Sequence, residues 1–198
     1  MSTGTLDLDD LVRRMATREP TRTEANVQSD LHALLLTAPL HLDEHDLQDL
    51  NVVLEQQAGA RKRIDVEAGL CVFEVKRDLR KSNIRADAEV QLVGYVVQRT
   101  LAMKQRYVGV LTDGAEWHLY HLADGALHAI SSIEIDPAKP DVDALLVWLE
   151  GVLATAEKIA PTPTEIARKL GAKSPGRALD SAELTNLYAS HKDLPTVR

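Results

Sequence analysis

The sequence predicts an α/β fold in which a mixed β-sheet is flanked by helices. Two observations lead to this prediction. Apolar residues recur at helical spacing in some segments, whereas other segments are short β-branched or aromatic runs bounded by turn residues. The order of these segments along the chain is α-β-β-β-α-β-β-β-α, which is typical of a sheet covered by helices in an α/β sandwich.

The first predicted helix covers roughly residues 22–37. Thr21 and Glu24 have the spacing of a capping box, and apolar residues then recur at helical spacing. Pro39 stops the helix, because a proline cannot continue it. The acidic segment 40–49 is ambiguous.

Three strands are predicted next, at Asn51–Gln57, Arg63–Glu67 and Leu70–Lys76. The Ala-Gly-Ala sequence at 58–60 breaks the first strand. The second and third strands form a hairpin around a tight turn at residues 68–69.

The second half of the domain repeats this alternation of helix and strands. A helix with no proline is predicted over 85–104, and the Asp-Gly pair within residues 112–114 is a strong hairpin signal. The remaining predicted elements are strands at Tyr107–Leu111, Trp117–Leu122 and near Leu127–Ile133, and an amphipathic helix at Asp141–Ile159.

The chain changes character near residue 160. A length of 198 residues suits one domain of about 150 residues and an appendage. We therefore predict a domain at 1–160 and, over 161–198, a linker with a helical extension. The TEIARKLG sequence at 164–171 resembles the opening of a helix-turn-helix, but Ser-Pro-Gly at 174–176 interrupts the recognition helix that should follow.

Several classes of protein are excluded by composition. No apolar run reaches the roughly 20 residues that cross a bilayer, and the N-terminal residues lack the pattern of a signal peptide. The single cysteine, Cys71, cannot form an internal disulfide and is expected to be buried and inert. The chain is expected to be cytoplasmic, with no membrane partner.

Positive charge is concentrated in one window of an acidic chain. The net charge is −7, but residues 61–85 carry eight basic side chains against four acidic ones. Such a window can attract a phosphate backbone locally while the rest of the molecule repels it. The basic residues of the window that are candidates for DNA binding are Arg61, Lys62, Arg63, Arg77, Arg80, Lys81 and Arg85.

Asp65, Glu74 and Lys76 are the candidate catalytic residues. Glu74 and Lys76 are two residues apart on one strand and so share a face, and the hairpin brings Asp65 beside them. Alone, the Glu-x-Lys pattern also fits an amphipathic edge strand. Two carboxylates and a lysine are, however, what phosphodiester hydrolysis needs: hard oxygen ligands for a divalent metal and a positive charge near the reacting groups.

The pattern D-x8-E-V-K, with Ile64 where a proline is frequent, resembles the PD-(D/E)XK nuclease superfamily. The resemblance implies a restriction-endonuclease-like core. It also implies that Asp65 and Glu74 bind Mg²⁺, for which Mn²⁺ can substitute, together with the backbone carbonyl of Val75. Lys76 would orient the attacking water or stabilise charge on the phosphate.

Three further features bear on this resemblance. Glu24 is either the glutamate that this superfamily often places near the metal or only the acceptor of a capping box. Gln91 and Tyr95 match the Q-x3-Y element that supports the site in RecB-like nucleases. The segment Val108–Tyr120 resembles the hairpin after the nuclease core of type I restriction subunits and single-chain restriction–modification enzymes.

The expected function is therefore that of a metal-dependent endodeoxyribonuclease in restriction–modification or phage defence. Its substrate would be double-stranded DNA, and a helicase or methyltransferase module would follow it in the full protein. A homodimer is an option for cutting both strands. The alternative is a catalytically silent DNA-binding or assembly domain. No Walker loop, GxSxG, GxGxxG or HExxH motif points elsewhere.

Overall fold

In the computed structural model, which describes residues 7–40, 52–57, 63–123 and 125–153, six strands form one sheet in the order of the sequence. The strands are β1 (Val52–Gln57), β2 (Arg63–Ala68), β3 (Cys71–Val75), β4 (Val108–Thr112), β5 (Glu116–Ala123) and β6 (Ala126–Glu134). The β3–β4 pair is parallel, and the other four pairs are antiparallel. The mixed sheet that the sequence predicts is thus confirmed.

Four described helices cover the two faces of this sheet: α1 (Leu8–Ala16), α2 (Glu24–Thr37), α3 (Ser82–Met103) and α4 (Val142–Leu153). Apolar residues of α1, α2 and α4 pack in one cluster with Phe73 and Val75 of β3. Residues of α3 pack in a second cluster with Val72 of the same strand. Since neighbouring strand residues point to opposite faces, α3 lies on one side of the sheet and the other three helices on the other side.

The central strand β3 is buried along its whole length. It contains four apolar residues and one charged residue, Glu74. Parallel pairing with β4 and helices on both faces account for this burial. A charge on such a strand is costly unless it has partners, so Glu74 is the residue of β3 that demands an explanation.

Helix α1 is an element that the sequence analysis did not predict. Asp7 caps it by accepting the backbone N–H groups of Asp9 at 3.0 Å and Asp10 at 3.4 Å. Leu11 and Met15, one turn apart, are both buried. These signals were readable, but they lie in a segment of only nine residues, which is less than three helical turns and gives few repeats of the apolar spacing.

The start of α2 corrects the predicted capping box. The cap is Thr23, whose hydroxyl accepts the N–H of Asn26 at 3.3 Å, and the Asn26 side chain accepts the N–H of Thr23 at 2.9 Å. Thr21 and Glu24 do not form the box. Because Asn26 does the capping, the side chain of Glu24 is available for other contacts.

Other element boundaries differ by a few residues from those predicted. Helix α3 begins three residues earlier, at Ser82, and the β2–β3 turn consists of Gly69, with φ of 55°, and Leu70. The predicted boundary near 160, the linker and the helical extension at 161–198 lie outside the described residues. None of the described helices combines the length and apolar composition that a membrane span requires.

Candidate active site at the open end of the β2–β3 hairpin

Asp65, Glu74 and Lys76 meet where β2 begins and β3 ends, opposite the hairpin turn. The pairing of Val66 with Phe73, continued by one residue, places Asp65 opposite Glu74. Asp65 Oδ2 accepts the backbone N–H of Val75 at 2.8 Å. Lys76 Nζ lies 2.5 Å from Glu74 Oε1. The three side chains therefore form one cluster, centred on the last residues of the buried strand.

Glu74 has an unusual environment for a carboxylate. Only 2% of the residue is exposed, and its Oε2 is buried with no hydrogen-bond partner among the described residues. Burial, and then the negative charge of Asp65, raise the pKa of Glu74 to about 7, although Lys76 acts in the opposite direction. Near neutral pH this carboxyl group is poised between its two protonation states.

The pKa values of the two charged neighbours of Glu74, Asp65 and Lys76, are also raised. Burial raises the pKa of Asp65, although the hydrogen bond from the Val75 N–H favours its ionised form. Burial disfavours the ammonium of Lys76, but the hydrogen bond to Glu74 and the charges of Glu24 and Asp65 outweigh it and raise the pKa of Lys76. Lys76 thus stays protonated beside carboxylates that are reluctant to ionise.

Helix α2 contributes two residues to this cluster. Glu24 Oε2 lies 4.0 Å from Lys76 Nζ, so Glu24 approaches the site instead of closing a capping box. The side chain of Gln28 makes a hydrogen bond to Asp65 that favours the ionised carboxylate. Sequence analysis did not include Gln28 among the site residues. Its position one turn after Glu24 was the signal that could have included it.

Helix α3 places Tyr95 at the site and leaves Gln91 outside it. Tyr95 is buried, and burial followed by the charges of Glu74 and Asp65 raises its pKa to about 12. Gln91 is exposed, contrary to our expectation, and no hydrogen bond among the described residues joins it to the carboxylates. The reason is helix phase: the face of α3 turned to the sheet is centred on Leu92 and Tyr95, and Gln91 lies at the exposed edge of that face.

The basic window is described in part. Arg61 and Lys62 lie outside the described residues, as does the side chain of Arg63, the first residue of β2. Lys81 is exposed. The arginines after β3 have partners within the chain: Arg77 donates to the Pro20 carbonyl, Arg80 pairs with Asp78, and Arg85 pairs with Glu89. These pairs are exposed or half-buried and would exchange readily for phosphate.

The donor set of the cluster suits a hard divalent cation. Asp65 lies close enough for its charge to raise the pKa of Glu74, and Glu74 Oε2 is buried with no hydrogen bond among the described residues, as is Glu67 Oε2 outside the cluster. No group of three or more His, Cys, Asp or Glu side chains arranged for a metal ion occurs in the part of the chain that the structure describes. Mg²⁺ does not need one, because it commonly binds one or two carboxylates and keeps water or substrate phosphate as its other ligands.

Comparison with known proteins found no matching family model, curated protein or solved structure. The function must therefore be argued from the site itself. The segment Val108–Tyr120 forms β4 and most of β5. Its Trp117 is fully buried and packs edge-on against Trp148, with ring centroids 6.1 Å apart, so it belongs to the core.

Proposed function

We propose that this chain is a Mg²⁺-dependent DNA endonuclease domain of the PD-(D/E)XK kind, from a restriction–modification or phage-defence system. The observation that carries the proposal is the meeting of Asp65, Glu74 and Lys76 at the end of a buried hairpin. The mixed sheet with helices on both faces, which the sequence predicts, contains this hairpin near its centre.

The energetics of the cluster support a ligand-binding role. Asp65, Glu74 and Glu24 surround one lysine, and the carboxyl groups of half-buried Asp65 and buried Glu74 have raised pKa values. A cluster that served only stability would be expected to balance its buried charges, because an uncompensated buried charge destabilises a fold by several kcal/mol. A bound divalent cation would supply the missing positive charge.

Each residue then has a distinct role. Asp65 and Glu74, with the Val75 carbonyl, would hold Mg²⁺, which supplies positive charge for the phosphate oxygens and lowers the pKa of a bound water. Lys76 is protonated and stabilises negative charge on the phosphate or orients the attacking water. Gln28 would hold the Asp65 carboxylate in place from α2, and Tyr95 of α3 lies near enough for the charges of Glu74 and Asp65 to raise its pKa.

DNA is the proposed substrate because of the charge pattern beside the cluster. The segment that follows Lys76 carries Arg77, Arg80 and Lys81, all exposed, in a chain with net charge −7. Basic side chains at the rim of a phosphodiesterase site would bind the backbone on either side of the scissile bond. We further propose that a helicase or methyltransferase module accompanies this domain in the full protein. Two copies of the domain would cut the two DNA strands.

The test is cleavage of plasmid DNA with Mg²⁺ or Mn²⁺ by the full chain and by Asp65→Ala and Lys76→Ala variants. We expect both variants to lose cleavage by roughly 10³-fold, since several kcal/mol of charge stabilisation is removed, while DNA binding stays within a few-fold. Glu67→Gln is the matched control, because Glu67 is a buried carboxylate on the same strand and face but outside the cluster.

Two results would overturn the proposal. Cleavage by Asp65→Ala at the wild-type rate would place the activity elsewhere. A wild-type chain that binds DNA but leaves it intact at every metal concentration would instead identify the alternative, a silent DNA-binding or assembly domain.

A further inference from the structure

The turn between β4 and β5, residues 112–116, holds both ends of the segment that carries Lys76. The backbone N–H of Lys76 donates to the Thr112 carbonyl at 2.9 Å. Three residues later, the N–H of Leu79 donates to Asp113 Oδ2 at 2.8 Å. Segment 76–79 belongs to no strand or helix, so these two bonds replace the ladder that fixes β3.

Asp113 is the centre of this arrangement. It is 1% exposed, and its carboxylate accepts five hydrogen bonds from four residues. Two come from Arg18, at 2.8 and 3.2 Å, and one from Leu79. The N–H groups of Ala115 at 3.1 Å and Glu116 at 2.9 Å complete the set. A buried carboxylate with so many donors is held in one orientation.

Arg18 joins a third part of the chain to the same point. It lies between α1 and α2, and its guanidinium also donates to Glu116 Oε1 at 2.7 Å and lies 3.9 Å from Asp78 Oδ1. Nearby, Arg77 donates to the Pro20 carbonyl at 2.7 Å. Segment 76–79 is thus bound both by the connection between α1 and α2 and by the β4–β5 turn.

We propose that Arg18 and Asp113 are positioning residues for Lys76, which fix the segment 76–79 so that the ammonium group stays beside Glu74. The inference rests on the proposed function for its effect on cleavage. Neither residue contacts the carboxylate cluster in the described structure, so each would act through the backbone of the segment. Misplacement of a catalytic group by about 1 Å can cost on the order of 10²-fold in rate.

The experiment compares the Arg18→Met and Asp113→Asn variants with the wild-type chain. The rate constant of DNA cleavage is measured under single-turnover conditions at saturating Mg²⁺. We expect the rate constant to fall roughly 10- to 100-fold, as for other residues that orient a site, with the Kd for DNA unchanged within about twofold. Arg18→Lys should restore part of the rate. Where Asp113→Asn does not fold, Arg18→Met decides, because Asp113 keeps its three backbone donors in that variant.

Asp30→Asn is the matched control for stability. Asp30 of α2 is a buried carboxylate bound by Arg14 at 2.7 Å and Arg22 at 2.6 Å, and these bonds stay within the α1–α2 region. This variant should lower the melting temperature and leave the rate constant unchanged. If Arg18→Met and Asp113→Asn lose stability in the same way and cleave at the wild-type rate, the pair is only structural and the proposal is wrong.

A readout that does not depend on cleavage separates this inference from the proposed function. Hydrogen exchange of the Lys76 and Leu79 amides should quicken in Arg18→Met and Asp113→Asn, and the NMR signal of Lys76 Nζ should shift. A wild-type chain that cuts no DNA defeats the proposed function. Even then, unchanged exchange and an unmoved Nζ signal would overturn the positioning role, and changes in both would support it.

Discussion

The two ends of the β2–β3 hairpin carry buried carboxylates whose charges are compensated in different ways. At the turn end, Glu67 accepts hydrogen bonds from Arg99 and from the Tyr107 hydroxyl, the latter at 3.1 Å, and the guanidinium lies over the Tyr107 ring. At the open end, Glu74 and two other carboxylates surround Lys76. Among the residues that the structure describes, the turn end has one cation for one acid, and the open end has one cation for three acids.

Helix α3 makes this difference plain, because it spans both ends. Arg99 meets Glu67 at the turn end, and one helical turn earlier Tyr95 lies beside Glu74 and Asp65. The guanidinium of Arg99 balances the charge of Glu67. The phenol of Tyr95 is neutral and adds no positive charge to Glu74 and Asp65. Glu67 and Glu74 are thus about equally buried, at 5% and 2% exposure, but they differ in role. The Glu67–Arg99 pair stabilises the fold, whereas the cluster around Glu74 is suited to a ligand.

The largest predicted effect is an opposite response of stability to Glu67→Gln and Glu74→Gln. Glu67→Gln leaves Arg99 without its charged partner and should cost about 3 to 5 kcal/mol of unfolding free energy. Glu74→Gln should instead stabilise the fold by about 3 kcal/mol at pH 8, because the pKa of Glu74 in the folded chain is about 7, above its ordinary 4.5.

The pH dependence follows from the same raised pKa. The folded chain binds the Glu74 proton more tightly than the unfolded chain, so its contribution to stability is complete below about pH 4.5 and is lost as the pH rises through about 7. Urea unfolding at pH 4.5 and pH 8 measures this. A Glu74→Gln chain that is less stable than wild type at pH 8 would break the contrast between the two ends.

The second prediction concerns metal. Mg²⁺ or Mn²⁺ at about ten times its Kd should stabilise the wild-type chain by ~1.4 kcal/mol, since binding to the folded state alone shifts the unfolding equilibrium. Asp65→Asn should abolish this gain, and Glu67→Gln should keep it on a lower baseline. Thermal unfolding with and without metal is the measurement, and an equal gain in Asp65→Asn would place the metal elsewhere.

The smallest effect is expected at the rim of the open end. Lys81→Ala should reduce the slope of log Kd for DNA against log salt by about 0.9, the value for one lost phosphate contact. Lys139→Ala removes an exposed lysine between β6 and α4 and should leave the slope unchanged. Fluorescence anisotropy over a series of salt concentrations separates these outcomes. Equal slopes for both variants would remove Lys81 from the DNA-binding surface.

The sheet and the carboxylate cluster were readable in the sequence because strand periodicity is simple. Residues two apart share a face, and the hairpin between β2 and β3 is short, so Asp65 and Glu74 could be placed together. Fold class followed from the order of segments. Both inferences need only local patterns and the position of turns.

Helix phase and long-range contacts were not readable in the same way. Helix α3 has apolar residues on its exposed side as well, with Val90 73% exposed, so its pattern did not reveal that Tyr95 faces the sheet and Gln91 does not. Arg18 and Asp113 are 95 positions apart, and no spacing rule joins them. Asp113 was interpreted only as part of a turn.

That separation has a consequence for how the domain assembles. The bond between Asp65 and Val75 joins residues 10 positions apart, so the hairpin that carries both acids can close early in folding. The Arg18–Asp113 contact closes a loop of 95 positions, whose larger entropy cost favours its formation later in folding. We expect φ-values near zero for Arg18→Met and higher ones for variants of Phe73. The acids would thus be gathered before Lys76 is fixed.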